Sequence, residues 1–209
     1  MAKTELSSDG TARAWQRMLS GRRLDLLNPS PFDVEIEDIA HGLARVARWN
    51  GQTKGEYAYS VAQHSLLVEQ IFQKLFPQSS NEERLFALLH DAPEYVIGDI
   101  ISPFKAVIGK YYELVEKRIQ DIIHIRFSLP VNPSQKILKK IKQVDRIAAF
   151  YEATTLAGFS KEEALRYFGH PNNILPDGLN LQPCSTQEIK NSFLIRFNDI
   201  DVQRSNFSC

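Results

Sequence analysis

The chain has 209 residues, long enough for one domain to close a hydrophobic core around a buried site. Lysine plus arginine equal aspartate plus glutamate at 25 each. That balance excludes the strongly basic surface of a non-specific nucleic-acid or membrane-surface binder, so any phosphate recognition must be local. The two cysteines, Cys184 and Cys209, have no metal-ligand spacing and fit reduced bystanders better than a disulfide framework. MAKTELSSDG at the amino terminus lacks the apolar stretch of a signal peptide, and the run from Leu85 to Leu89 is far too short to span a membrane. A cytoplasmic protein is expected.

Apolar stripes repeating at three and four residues dominate the chain and predict an all-α fold. In chain order the helices fall at about residues 11–19, 36–48, 61–76, 81–92, 104–127, 134–157, 161–168 and 186–197, with room for one short strand between residues 21 and 31. Four helix starts carry a capping box: Ser60 with Gln63, Ser80 with Glu83, Ser160 with Glu163 and Ser185 with Glu188. The stretch 169–183 is dense in turn formers, so the last helix is expected to pack back after an irregular crossing. No repeat, low-complexity tract or linker divides the chain. It reads as a single domain over 1–209, with its core at about 36–157 and a carboxy-terminal helical appendage at about 158–209.

Chemistry-bearing residues sit on the inward faces of these helices. His64 lies in line with Val61, Val68, Ile71 and Leu75; alone, such a histidine is more often a hydrogen-bonded core residue than a ligand. The segment LFALLHDAPE ends an apolar helix on His90 and Asp91, where an unpaired charge would cost several kcal/mol, so a salt bridge or a metal ion should meet them. Asp145 shares a face with Ile141, Ala148 and Ala149, and its neighbour Arg146 diverges by about a hundred degrees, which makes that pairing poor. Together these are two imidazoles and two carboxylates from three helices. Such a mixed nitrogen and oxygen set suits one divalent ion such as Mn, Co, Fe, Mg or Zn.

The order H…HD…D resembles the HD superfamily of metal-dependent phosphohydrolases. The resemblance extends to the bacterial 5'-deoxynucleotidase branch and its phage-associated relatives, over approximately residues 36–152. The matching pieces are ARW (47–49), SVAQHS (60–65), HDAPE (90–94), GDIISPFK (98–105) and the helix around Asp145. It implies an HD-domain helical bundle with a metal site in its core, held by His64, His90, Asp91 and Asp145. It also implies Glu94 as the catalytic acid or base, Asp99 at the sugar, Arg48 and Trp49 at the phosphate and sugar, and a homodimer.

The residues themselves agree with most of these roles. Glu94, four residues after His90, is near the metal without being needed as a ligand, so it can exchange a proton there. Arg48 could neutralise a phosphate bidentately, and Lys105, after the helix break at Pro103, could do so as a point charge. Both also fit solvated surface cations, and Trp49 fits a core aromatic. His41, His124 and His170 lie off the apolar stripes and are not expected to be ligands; the lysines at 136, 139, 140 and 142 read as a solvated face.

The expected reaction is hydrolysis of a (deoxy)nucleoside 5'-monophosphate to nucleoside and phosphate, with a small nucleotide as partner and neither nucleic acid nor membrane. The alternatives are a triphosphohydrolase on the same scaffold, a non-catalytic nucleotide-binding regulatory module, and a purely structural helical domain. The chain departs from the deoxynucleotidase pattern in a longer front end, including GRRLDLLNPSPFD, and in a Pro-rich carboxy-terminal segment.

Overall fold

Alternating exposure around Leu24 sets the first element. The structure, a computed structural model, describes residues 14–101, 104, 107, 109–171 and 174–206. Within them, β1 (Trp15–Arg17) and β2 (Arg23–Asp25) form an antiparallel hairpin that pairs Gln16 with Leu24. Leu24 is fully buried, and the Arg17 and Arg23 guanidinium groups lie 5.3 and 4.7 Å from the Trp15 ring. The short strand expected between residues 21 and 31 is β2. The helix expected at 11–19 is replaced by β1 over its described part, because pairing with β2 and the tight turn at Gly21 satisfy the backbone there; residues 11–13 lie outside the described residues.

Helices carry the rest of the fold. They are α1 (Ile36–Leu43), α2 (Val61–Leu75), α3 (Asn81–Leu88), the single turn α4 (Glu94–Ile97), α5 (Lys110–Arg126), α6 (Gln135–Thr155), α7 (Lys161–Phe168) and α8 (Thr186–Asn206). The mostly helical class expected from the periodicity is correct. Capping boxes start α2, α3 and α7, and Ser185 and Glu188 exchange the same pair of bonds before α8. Each satisfies two amide groups that the helix geometry leaves unpaired. α1 stops five residues short of expectation, since the chain enters a 3-10 turn, Arg48–Gly51, in which Trp49 (φ 56°) and Asn50 (φ 51°) are left-handed. That conformation is costly for a tryptophan and persists only where surroundings hold it.

α2 is the central helix, packing on α3, α6 and α8, while α1 packs on α4 and α8 and α7 lies on α6. Ile39, Leu43, Val68, Phe72, Leu88, Ile119, Val144 and Phe193 from these helices are buried in one core. Inside it, Glu69 of α2 accepts from Arg84 Nε of α3 at 2.8 Å and from Arg196 Nε of α8 at 2.7 Å. With its carboxylate 1% exposed, this triad fixes three helices together, and removing one arginine would leave buried charge under-compensated. Gly42 lets α1 approach α4: a Cβ there would sit 2.7 Å from the Tyr95 carbonyl oxygen. Among the described residues no helix is long and apolar enough to cross a membrane.

Candidate metal centre

Three parts of the chain converge beside α2. His64, one turn into α2 and in register with Val61, Val68 and Ile71, is fully buried. His90 and Asp91 follow α3 in a turn that Pro93 forces, and Asp145 lies midway along α6. His64, His90 and Asp145 each offer a ligand atom within 4.8 Å of the others, an arrangement that could hold a metal ion. Asp91 Oδ2 stands 3.4 Å from His64 Nε2 and 3.1 Å from His90 Nε2, and Asp145 Oδ1 stands 3.4 Å from His64 Nε2.

The fit to a divalent ion can be tested on these contacts. Ligand atoms at about 2.1 Å from a metal are about 3.0 Å apart along an octahedral edge and about 3.4 Å along a tetrahedral one. The His64–Asp91, His64–Asp145 and His90–Asp91 separations fall in that interval, and the mutually close group is His64, His90 and Asp145. Both Nε2 atoms are buried, and neither has a partner that meets hydrogen-bond geometry. Their Nδ1 atoms, in contrast, are anchored. His90 Nδ1 lies 2.9 Å from the Ala87 carbonyl oxygen, which can only accept, so Nδ1 carries a proton and the neutral ring has its lone pair on Nε2. His64 Nδ1 lies 2.5 Å from Glu152 Oε1. Orphaned, convergent imidazole nitrogens next to two carboxylates are what a cation requires, and the donor set fits one.

Electrostatics agree. Burial disfavours charge on His64 and Arg48 adds to that, yet the carboxylates of Glu152, Asp145 and Asp91 outweigh both and raise its pKa well above the usual imidazole value. Burial likewise works against ionised Asp91 and Asp145, but the facing imidazoles hold both carboxyls well below the usual range. The carboxylates facing the imidazoles therefore favour a positive charge at this cluster. The Asp91 and Asp145 side chains are 25% exposed while His64 is fully buried, so the carboxylates form the open side of the site.

The other expected site residues are placed as follows. Glu94 opens α4, is buried, and its amide donates to the Asp91 carbonyl oxygen, which brings it one turn past the His90–Asp91 pair. Asp99 follows the left-handed Gly98 (φ 77°) and accepts from Arg48 Nη1 at 3.1 Å. Arg48 is engaged on two sides, since its Nη2 also lies 3.3 Å from Glu152 Oε2. Trp49 donates from Nε1 to Glu152 Oε2 at 2.9 Å and packs its ring against Phe159 and Phe168 at 5.5 and 5.8 Å. Lys105 lies outside the described residues.

His41 is half-buried on α1 and His170 is exposed. His124 is buried against Phe86, with Gln120 Nε2 donating to its Nε2 at 2.7 Å, deeper than its polar neighbours in sequence suggest. Sequence reasoning passed over Glu152. It lies two turns after Asp145 on the same face of α6, and that register is the signal that could have found it.

The fold and site define a mostly helical protein with an imidazole and carboxylate cluster that could hold a metal ion. It is 55% identical over 184 residues, 88% of its own length and 94% of the other's, to a Rhodobacter capsulatus protein named "Uncharacterized protein RCAP_rcc00048", and it belongs to that protein's family. Over 98 residues it is 38% identical to "Uncharacterized protein YfdR" of Escherichia coli, a match that covers 47% of this chain and 49% of that protein. No family model matches the chain.

Proposed function

We propose that this chain is an HD-type, metal-dependent phosphohydrolase that cleaves (deoxy)nucleoside 5'-monophosphates to nucleoside and phosphate. The observation carrying the reading is the convergence of the buried Nε2 atoms of His64 and His90, neither in a well-formed hydrogen bond, on the Asp91 and Asp145 carboxylates. His64, His90, Asp91 and Asp145 would hold one divalent ion. Such an ion supplies Lewis-acid polarisation of a phosphoryl oxygen and a water acidic enough to attack near neutral pH.

The chain's own groups have distinct tasks in this reading. Glu94, buried beside the ligands, moves the proton between the attacking water and the departing O5'. Asp91 and Asp145 line the open side and orient what enters. Asp99, held by Arg48, is placed to accept from a sugar hydroxyl. Because Arg48 already faces two carboxylates, its charge is largely committed within the protein. That favours a monophosphate over a triphosphate, whose extra charge needs further cations.

The test is release of inorganic phosphate from all ribo- and deoxynucleoside mono- and triphosphates with Mn, Co and Mg, alongside metal analysis of His64→Ala and Asp145→Ala. Turnover of monophosphates, with metal and activity lost together in both variants, is expected. Tripolyphosphate as product would move the chain to the triphosphohydrolase class. Tight nucleotide binding without turnover would make it a regulatory module.

A further inference from the structure

We infer that Glu152 is a positioning residue of the metal centre: its carboxylate engages His64 Nδ1 on one oxygen, is held by Trp49 and Arg48 on the other, and so presents His64 Nε2 as the lone-pair donor. This inference rests on the metal reading above. The carboxylate is fully buried, and Glu152 lies on the same helical face as Asp145, so α6 supplies one ligand and orients another. Oε1 is 2.5 Å from His64 Nδ1; Oε2 accepts from Trp49 Nε1 at 2.9 Å and faces Arg48 Nη2 at 3.3 Å. Nδ1 and Nε2 point to different sides of the ring, so a carboxylate at Nδ1 serves as a support and does not compete for the ion. Its negative charge makes the His64 ring a stronger donor at Nε2, whereas His90 Nδ1 donates to the neutral Ala87 carbonyl.

The simpler role, counter-ion to Arg48, does not account for this arrangement. Arg48 has a second carboxylate partner in Asp99, whereas Glu152 is the group at hydrogen-bond distance from His64 Nδ1. For the same reason Glu152→Gln should fold, because the Arg48 and Asp99 charges still balance each other. The 3-10 turn bearing Arg48 and Trp49 also acquires a purpose: its left-handed Trp49 places the indole N–H on Oε2.

The experiment compares Co(II) affinity by calorimetry for the wild type, Glu152→Gln and Asp145→Ala, and records imidazole 15N–1H spectra of the Zn(II)-loaded wild type and Glu152→Gln. We expect Glu152→Gln to bind Co(II) about 10- to 100-fold more weakly with its helical content retained, as loss of such a supporting contact typically does. The His64 Nδ1 proton, far downfield and slow to exchange in the wild type, should move upfield in the variant, a change that loss of packing alone would not produce. Wild-type affinity in Glu152→Gln, with binding lost in Asp145→Ala, would overturn the role of Glu152 and leave the metal centre standing. Absence of Co(II) and Zn(II) binding in the wild type would overturn both. Should Glu152→Gln not fold, the wild-type spectrum decides: zinc on His64 Nδ1 would refute the inference, and a protonated Nδ1 would uphold it.

Discussion

At the scale of single residues, Glu94 separates chemistry from metal holding. It is buried at the start of α4, three residues after Asp91 in the chain and hydrogen-bonded to it through the backbone. In the proposed reaction Glu94→Gln keeps the size and loses the titrating proton. Metal content should stay at the wild-type level while kcat falls by about a hundred- to ten-thousand-fold. Parallel loss of metal would make Glu94 a ligand, and unchanged kcat would route the proton through another group. The residues of this cluster were unequally legible. His64 and Asp145 stand out because a titratable group on an apolar stripe is conspicuous in a helix, and His90 and Asp91 because they end an apolar run; His64, His90 and Asp145 come together as a group that could hold a metal ion, with Asp91 3.4 and 3.1 Å from the two imidazoles. Glu152 escaped because its neighbours in α6, Tyr151 and Ala153, are buried as well, so that part of the helix has no clear stripe against which an acid stands out. Arg48 and Trp49 were expected at a ligand, and their contacts with Glu152, more than a hundred residues away, could not be read from local pattern.

At the scale of elements, caps and periodicity located the helices well, since a capping box and a buried stripe are both local properties of the chain. They failed at Trp15–Arg17, where three residues cannot distinguish a helical from an extended period and pairing with Arg23–Asp25 decides the outcome. The contact of α1 with α4 was equally hidden, because a glycine inside a helical pattern looks only like a weak point. Gly42 is there to let Tyr95 approach. Gly42→Ala should improve helix propensity yet destabilise the fold by about 1–3 kcal/mol, because the opposing atoms, the Tyr95 carbonyl oxygen, Cα and Cβ, are fixed by the backbone and cannot swing aside. Denaturant unfolding checks the sign, and a stabilised variant would show that α4 shifts freely. If α4 does move, Glu94 moves with it, so the same variant should lose turnover at unchanged metal content.

At the scale of the whole molecule, one core is shared by α1, α2, α3, α6 and α8, with the candidate centre along the α2–α6 contact. The contacts that build that centre are far apart in sequence: His64 meets Glu152 across 88 residues, and Arg48 meets it across 104. Closing a loop of that length costs entropy that only a nearly complete core can offset, so the centre should form late on the folding pathway. A cation bound there would then be absent from the transition state and present in the native state. Stopped-flow measurements with and without Mn(II) should show refolding rates unchanged and unfolding slowed, by about a hundredfold at an ion concentration of about 100 times Kd. Faster refolding would instead mean that α2 and α6 dock early. With a late-forming site the ion acts as a latch on a finished protein: the metal status of the cell would set how long each folded molecule lasts, and leave untouched how readily it folds.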